Sequence, residues 1–220
     1  MRRPWVLLLG PHQAGDRIFI STLARSLRAF SGPLVFVHGP SEQADVLFAQ
    51  TQIAAQRTGS LYQTATREAE EAVLRSVREW NRRLVALMTE SGLPAVGIQG
   101  TDRRLLVRER ELQVRDASWF WQIAASGARP VLSSLAWQGE AVYLEHPLEA
   151  ALAIAEAHPE AEVVLCDQVL AHKLEQEPDW AHLRELAYLR DWRPVRFRAP
   201  LRVVANWQSG IDASGVVLRW

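Results

Sequence analysis

Three short apolar runs of this 220-residue chain end at glycines. Gly10 closes Trp5–Leu9, Gly39 follows Leu34–His38, and Gly97 and Gly100 bracket the end of Pro94–Ile98. A glycine at a strand end lets a backbone N–H come close to an anion, because there is no Cβ in the way. Three such turns at the carboxyl edge of one parallel sheet would form a crevice for an anionic small molecule. Each turn taken singly is also an ordinary way to end a strand.

Ready-made catalytic motifs are absent. The chain has no G-x-x-x-x-G-K-[ST] or G-x-G-x-x-G loop, no G-x-S-x-G elbow and no H-E-x-x-H pair. The six histidines (His12, His38, His146, His158, His172 and His182) have no metal-ligand spacing, so no metal site is expected. Ser133-Ser134 has no base that the sequence can assign to it. Outside the strand-end crevice, these residues read as surface or loop positions.

Composition narrows the function classes. Twenty-five basic residues balance twenty-five acidic ones, which argues against a nucleic-acid partner. The single cysteine, Cys166, excludes an internal disulfide. No apolar run reaches the ~18 residues of a membrane span, and no signal-type segment follows Met1-Arg-Arg, so a cytoplasmic address is expected. Lys173 is the one lysine beside twenty-four arginines, so a mechanism needing two lysines requires arginine to substitute. Nine tryptophans accompany these arginines, and pairs such as Trp192-Arg193 point to packing or cation–π contact.

The elements that must position these residues alternate. Apolar runs at Trp5–Leu9, Leu34–His38, Pro94–Ile98, Pro130–Leu132, Val163–Cys166 and Leu201–Val204 read as strands, with an edge strand at Val216–Leu218. Helices are expected over Asp16–Phe30, with Ile18, Leu23, Leu27 and Phe30 on its apolar face, and from Ser41 to about Ala55. Further helices are expected over Trp119–Ser126, Leu148–Ala157 and Asp179–Arg190. Thr66–Ser91 carries the clearest helical stripe, Ala69, Val73, Val77, Trp80, Leu84 and Leu87, stopped by Gly92. Hairpins are expected at Arg104–Arg115 and Leu135–Leu144. This pattern predicts an α/β fold, a three-layer αβα sandwich with a mainly parallel central sheet. Residues 1–220 read as one domain, with an N-lobe of about 1–130 and a shortened C-lobe of about 131–220.

On this order of elements the sequence resembles the amino acid kinase family, in particular acetylglutamate kinase and its acyl-aminoadipate relatives. Asn81-Arg-Arg-Leu-Val-Ala-Leu-Met88, continuing to Gly92-Leu-Pro-Ala-Val-Gly97-Ile-Gln-Gly100-Thr-Asp102, is similar to the family's N-x-x-L-V-x-L-L…G-x-x-A-x-G-L-S-G-x-D-G. Val35-Phe-Val-His38-Gly39-Pro40 is similar to V-H-G-G-G, and Ala128-Arg-Pro-Val-Leu-Ser-Ser134 to G-x-x-P-V-I-x-x-I. The segment from Tyr143 through Leu148–Ala157 stands where N-x-N-A-D-x-x-A belongs, and Val163–Asp167 where L-I-L-L-T-D belongs.

The resemblance implies phosphoryl transfer from ATP, with Mg²⁺, to the side-chain carboxylate of an acylated amino acid in arginine or lysine biosynthesis. It also implies substrate-site positions at Gly10, His38, Gly39, Tyr62, Gly97, Gly100 and His146. Several of these depart from the family pattern. Leucines replace the strand-1 lysine, Pro40 and Ser41 replace two loop glycines, Tyr62 takes the place of an arginine, and His146 and Leu148 replace an asparagine and an aspartate. No G-G-M-x-x-K precedes the last strands, and Lys173 lies too early to serve. Asp102, Arg103 and Arg17 are the catalytic candidates that remain, with Arg104 a further cation. The expectation is a catalytically impaired, pseudokinase-like member that keeps the scaffold and a site for a small acidic metabolite or a partner. The alternatives are an active kinase using these arginines and a purely structural or regulatory subunit. A homodimer through helix 66–91 is also expected, since Val85 and Met88 lie beyond its main stripe.

Overall fold

The computed structural model describes residues 3–166, 168–177, 181–182, 199–204 and 216–218. The chain opens with β1 (Trp5–Leu9), a short α1 (Pro11–Gly15) and α2 (Arg17–Leu27). Then come β2 (Leu34–His38), α3 (Gln43–Gln50), the hairpin β3 (Ala55–Thr58) and β4 (Leu61–Thr64), and the long α4 (Arg67–Glu90). β5 (Ala95–Gln99) leads through a 3₁₀ turn to β6 (Leu106–Arg108), β7 (Leu112–Val114) and α5 (Ser118–Ala125). β8 (Arg129–Ser133), β9 (Leu135–Gln138), β10 (Ala141–Leu144), α6 (Pro147–Glu156) and β11 (Glu162–Cys166) follow. α7 (Gln168–Gln176), β12 (Leu201–Val204) and β13 (Val216–Leu218) complete the described elements.

Seven strands form the central sheet in the order β13-β12-β11-β1-β2-β8-β5. Six run parallel, and β13 closes the far edge antiparallel to β12. Their unbroken apolar sequences follow from burial on both faces. In β1, Val6 and Leu8 join the core under α5, α6 and α7, whereas Leu7 and Leu9 join the core under α2 and α4. This is the expected three-layer sandwich. A second sheet, β10-β9-β6-β7, extends the α6 side, and both expected hairpins lie in it.

Helix α4 forms for reasons visible in its ends and its buried stripe. Thr66 Oγ1 accepts the Ala69 N–H at 3.1 Å, and Glu68 and Glu70 stand in the positive first turn. Gly92 (φ +81°) reverses the chain, and Leu93 N–H returns to the Met88 carbonyl at 3.0 Å. Its buried residues Ala69, Val73, Val77, Trp80, Asn81, Leu84 and Met88 lie along one stripe. Met88 is fully buried and Val85 packs against the same core, so both belong to the intramolecular face.

Several local expectations need correction. Helix α2 begins after its cap Asp16, whose Oδ1 accepts the N–H of Ile18 (2.8 Å) and Phe19 (3.0 Å), and it ends at Leu27. Ile18 is 79% exposed; the buried face is Ile20, Leu23, Ala24 and Leu27, and two residues of helix turn Ile18 away from it. Helix α3 starts at Gln43 and stops at Gln50 instead of running to Ala55. Gln52 (φ +54°) turns the chain, and Ala55 pairs across the hairpin with Thr64. The hairpin holds Leu61–Thr64, the segment that the family resemblance sets in a hairpin with Tyr62 at its arginine position, whereas α1 and α7 have no counterpart in the sequence reading. The helix expected over Asp179–Arg190 lies outside the described residues, as does the Trp192-Arg193 contact.

Candidate functional site

Strand register gathers the candidate residues at the carboxyl edge of the central sheet. Leu9 pairs with His38, His38 with Ser133, and Ser133 with Gln99, so four strand ends lie in a row. The strand order reverses between β1 and β11, which is where open α/β sheets bind ligands. Gln13 of α1 occupies this point. Its Oε1 accepts the Gly10 N–H at 3.1 Å and its Nε2 donates to the Cys166 carbonyl at 2.7 Å, tying the two strand ends together.

His38 is fully buried at the end of β2. Its Nδ1 lies 2.8 Å from the Gly39 carbonyl, which can only accept, so Nδ1 carries the proton. Nε2 then accepts from Asn81 Nδ2 at 3.0 Å. The second Asn81 amide proton goes to the Val131 carbonyl at 2.8 Å. Burial lowers the His38 pKa from 6.5 to about 4, against a smaller opposing effect of the Gly39 hydrogen bond. The imidazole is therefore neutral at pH 7.

The glycines of the crevice are constrained by packing. A Cβ on Gly39 would sit 2.5 Å from Pro147 Cγ, one on Gly97 2.6 Å from Asn81 Oδ1, and one on Gly100 2.1 Å from the Leu135 carbonyl oxygen. The Gly100 N–H donates to the Ser133 carbonyl at 3.2 Å. With the Gly10 N–H held by Gln13, two of the strand-end donors are engaged inside the protein, and Pro40 has none to offer.

Ser133, Ser134 and His146 are buried, which corrects their reading as surface or loop positions. Ser133 Oγ donates to Gln99 Oε1 at 2.7 Å. His146 caps α6, its Nδ1 accepting the Leu148 N–H at 3.2 Å.

The cations around this edge are largely committed. Arg57 of β3 donates to Asp45 Oδ2 (2.8 Å), to the Ser41 carbonyl (2.6 Å) and to the Tyr62 hydroxyl (2.7 Å). Tyr62 in turn donates to Asp45 Oδ1. Burial, then the hydrogen bond to Asp45, raises the Tyr62 pKa, so the phenol stays neutral. Arg108 of β6 bridges Glu145 and Glu149; burial opposes its charge, but these two carboxylates outweigh that and hold the guanidinium protonated. Arg103 and Arg104 are exposed, adopt left-handed backbone (φ +51° and +55°) and lie over Trp119 and Trp137 at 5.1 and 5.4 Å. Asp102 Oδ2 accepts the Gln99 N–H at 2.8 Å, closing the same loop. Arg17 is exposed in the first turn of α2.

Among the described residues, no three His, Cys, Asp or Glu side chains cluster to hold a metal ion.

Two of the working residues had signals in the sequence. Asn81 is a polar residue set inside the apolar stripe of α4, and a polar residue in such a place implies a buried hydrogen-bond role. Gln13 follows a strand-end glycine. Arg57, Asp45, Arg108, Glu145 and Glu149 had none, because each partner lies on a different element.

No family model matches the chain. Its fold is that of the amino acid kinases. A solved isopentenyl phosphate kinase superposes with a TM-score of 0.59 at 15% identity, covering 90% of this chain and 90% of that one. Aspartokinase III of E. coli, solved with aspartate and ADP, superposes with a TM-score of 0.64 at 12% identity, covering 99% of this chain and 65% of that one. In sequence, acetylglutamate kinases from two strains of Chloroflexus aurantiacus are 25% identical over 143 residues, 60% of this chain and 56% of theirs. The match thus spans little more than half the length of these curated relatives. The chain thus has the amino acid kinase fold and is similar in sequence, over part of its length, to acetylglutamate kinases.

Proposed function

We propose that this protein is a divergent acetylglutamate kinase-like scaffold with impaired phosphoryl transfer, which binds a small acidic metabolite at the carboxyl edge of its sheet. One observation carries the reading: two of the guanidinium groups around that edge, those of Arg57 and Arg108, are already bound. Arg57 is held by Asp45, Tyr62 and a backbone carbonyl, and Arg108 by two carboxylates. Transfer between two anionic partners needs preorganised positive charge, and losing one such donor typically costs ~10²–10³ in rate. ATP with Mg²⁺ comes to this chain from its likeness to kinases, and a role beside arginine biosynthesis from the family resemblance of its sequence alone.

The test combines calorimetric titrations of ATP, with and without Mg²⁺, and of N-acetylglutamate or its one-carbon-longer homologue with hydroxylamine trapping of acyl phosphate from ATP and the same acylated amino acids. The expected result is binding of the acylated amino acid with at most trace acyl phosphate. Turnover near one per second (an ordinary enzymatic rate) that is abolished by Arg103→Ala or Arg17→Ala would establish the second reading, an active kinase. Arg103 favours that second reading, since a strained non-glycine backbone is often held at working sites.

The same reading takes the protein as cytoplasmic and dimeric; no helix among the described residues is long and apolar enough to cross a membrane. Support for the dimer comes from the edge of the sheet next to α4. β5 is the outermost strand on that side, and Val96 on it is 39% exposed. A monomer by light scattering at high micromolar concentration would end the dimer proposal.

A further inference from the structure

We propose that the cleft between α3 and α4 is a second binding site, for a small amphiphilic anion with an apolar body and one carboxylate- or phosphate-like head. The cleft encloses about 380 Å³, within the range of small-molecule sites. Phe48, Ile53, Ala72 and Trp80 line its apolar part, and Leu47 forms its lip. Leu47 is 48% exposed, and Val46 beside it 57%, so α3 presents apolar surface to solvent at the mouth.

The charge at the mouth has one sign in excess. Arg75, Arg82 and Arg83 line the cleft with the single carboxylate Glu79. Glu79 is shared between Arg82 and Arg83, at 3.3 Å from Arg83 Nε, and Arg83 also lies 5.7 Å over the Trp80 ring. Arg75 is exposed and makes no ion pair among the described residues. Three guanidinium groups against one carboxylate leave room for an anionic head, and the apolar wall takes the body of the ligand.

This site is separate from the strand-end crevice but joined to it through one loop. Ser41 lines the cleft, and its carbonyl holds Arg57 at 2.6 Å, two residues after Gly39. An occupant would thus press on the loop that follows His38 without touching the crevice itself.

The experiment uses 8-anilinonaphthalene-1-sulfonate, an apolar ring system with one anionic head, titrated into the full chain and followed by fluorescence. Saturable one-to-one binding is expected, displaced by octyl phosphate but not by octanol or inorganic phosphate. Arg75→Glu and Leu47→Asp, both at exposed positions, are each expected to weaken binding about tenfold, the scale of one lost charge-assisted contact. Ala72→Trp is expected to abolish it, with circular dichroism and melting unchanged for the two exposed variants. Binding equal in wild type and in both exposed variants would overturn the proposal, as would equal displacement by octanol. A wild-type dimer that Leu47→Asp converts to monomer would show that a second copy covers the cleft, and displacement only by an acidic amphipathic peptide would assign it to a protein partner. Either outcome overturns the small-ligand assignment.

Discussion

Asn81, in the middle of α4, spans two strands of the sheet with one amide group, donating to His38 Nε2 at 3.0 Å and to the Val131 carbonyl at 2.8 Å. Its Oδ1 faces Gly97, where there is no room for a Cβ. The helix, β2, β8 and β5 are therefore locked together by one polar side chain within an apolar stripe. Asn81→Leu is expected to destabilise the fold by about 2–3 kcal/mol, because it strands two buried acceptors. Urea unfolding of the variant measures this; a loss under about 0.5 kcal/mol, the size of an ordinary surface change, would remove the lock from the account.

His38 makes acid stability a test of the same network. Above pH 6.5 the imidazole is neutral in both folded and unfolded chains. Between pH 6.5 and about 4 the unfolded chain binds a proton that the folded one does not, so stability falls as pH falls. Below about pH 4 both forms are protonated and the loss levels off. Its full size is about 3 kcal/mol. His38→Gln should flatten this part of the stability–pH curve, and an unchanged slope in urea titrations at pH 7, 5.5 and 4.5 would contradict it.

Gly100→Ala places a Cβ 2.1 Å from a backbone carbonyl oxygen that cannot rotate away. The expected loss is about 3 kcal/mol or more, since the strand ends themselves must shift. Gly139→Ala is the comparison: its φ is +61° and its surroundings are open, so it carries only the left-handed backbone penalty of about 1 kcal/mol. Thermal melts of the pair separate steric from conformational need.

Arg108→Met leaves Glu145 and Glu149 without their shared cation. The expected cost is about 3 kcal/mol, chiefly from uncompensated carboxylates close to the protein interior. Adding Glu145→Gln and Glu149→Gln to the same variant should restore more than half of it. If the triple variant is no more stable than Arg108→Met, the cost arises from packing and not from charge.

The layers of this fold were legible in the sequence because they rest on local, periodic requirements. Strands buried on both faces must be apolar throughout, as in Leu7, Leu8, Val35 and Val37, and a helix facing a sheet must repeat its apolar residues, as α4 does from Ala69 to Leu84. Gly92 and Thr66 mark the ends of α4 for equally local reasons. The sequence also placed the strand-end glycines and His38 together, because parallel strands share one carboxyl edge. Tertiary structure alone decided what those residues do. That Gly39 makes room for Pro147, that Gln13 engages the Gly10 N–H, and that Arg57 closes on Asp45 and Tyr62 are contacts between elements brought together only by folding. The β3–β4 hairpin was legible only through the family resemblance at Leu61–Thr64, because its polar, half-exposed residues are paired by backbone hydrogen bonds that carry no residue signature.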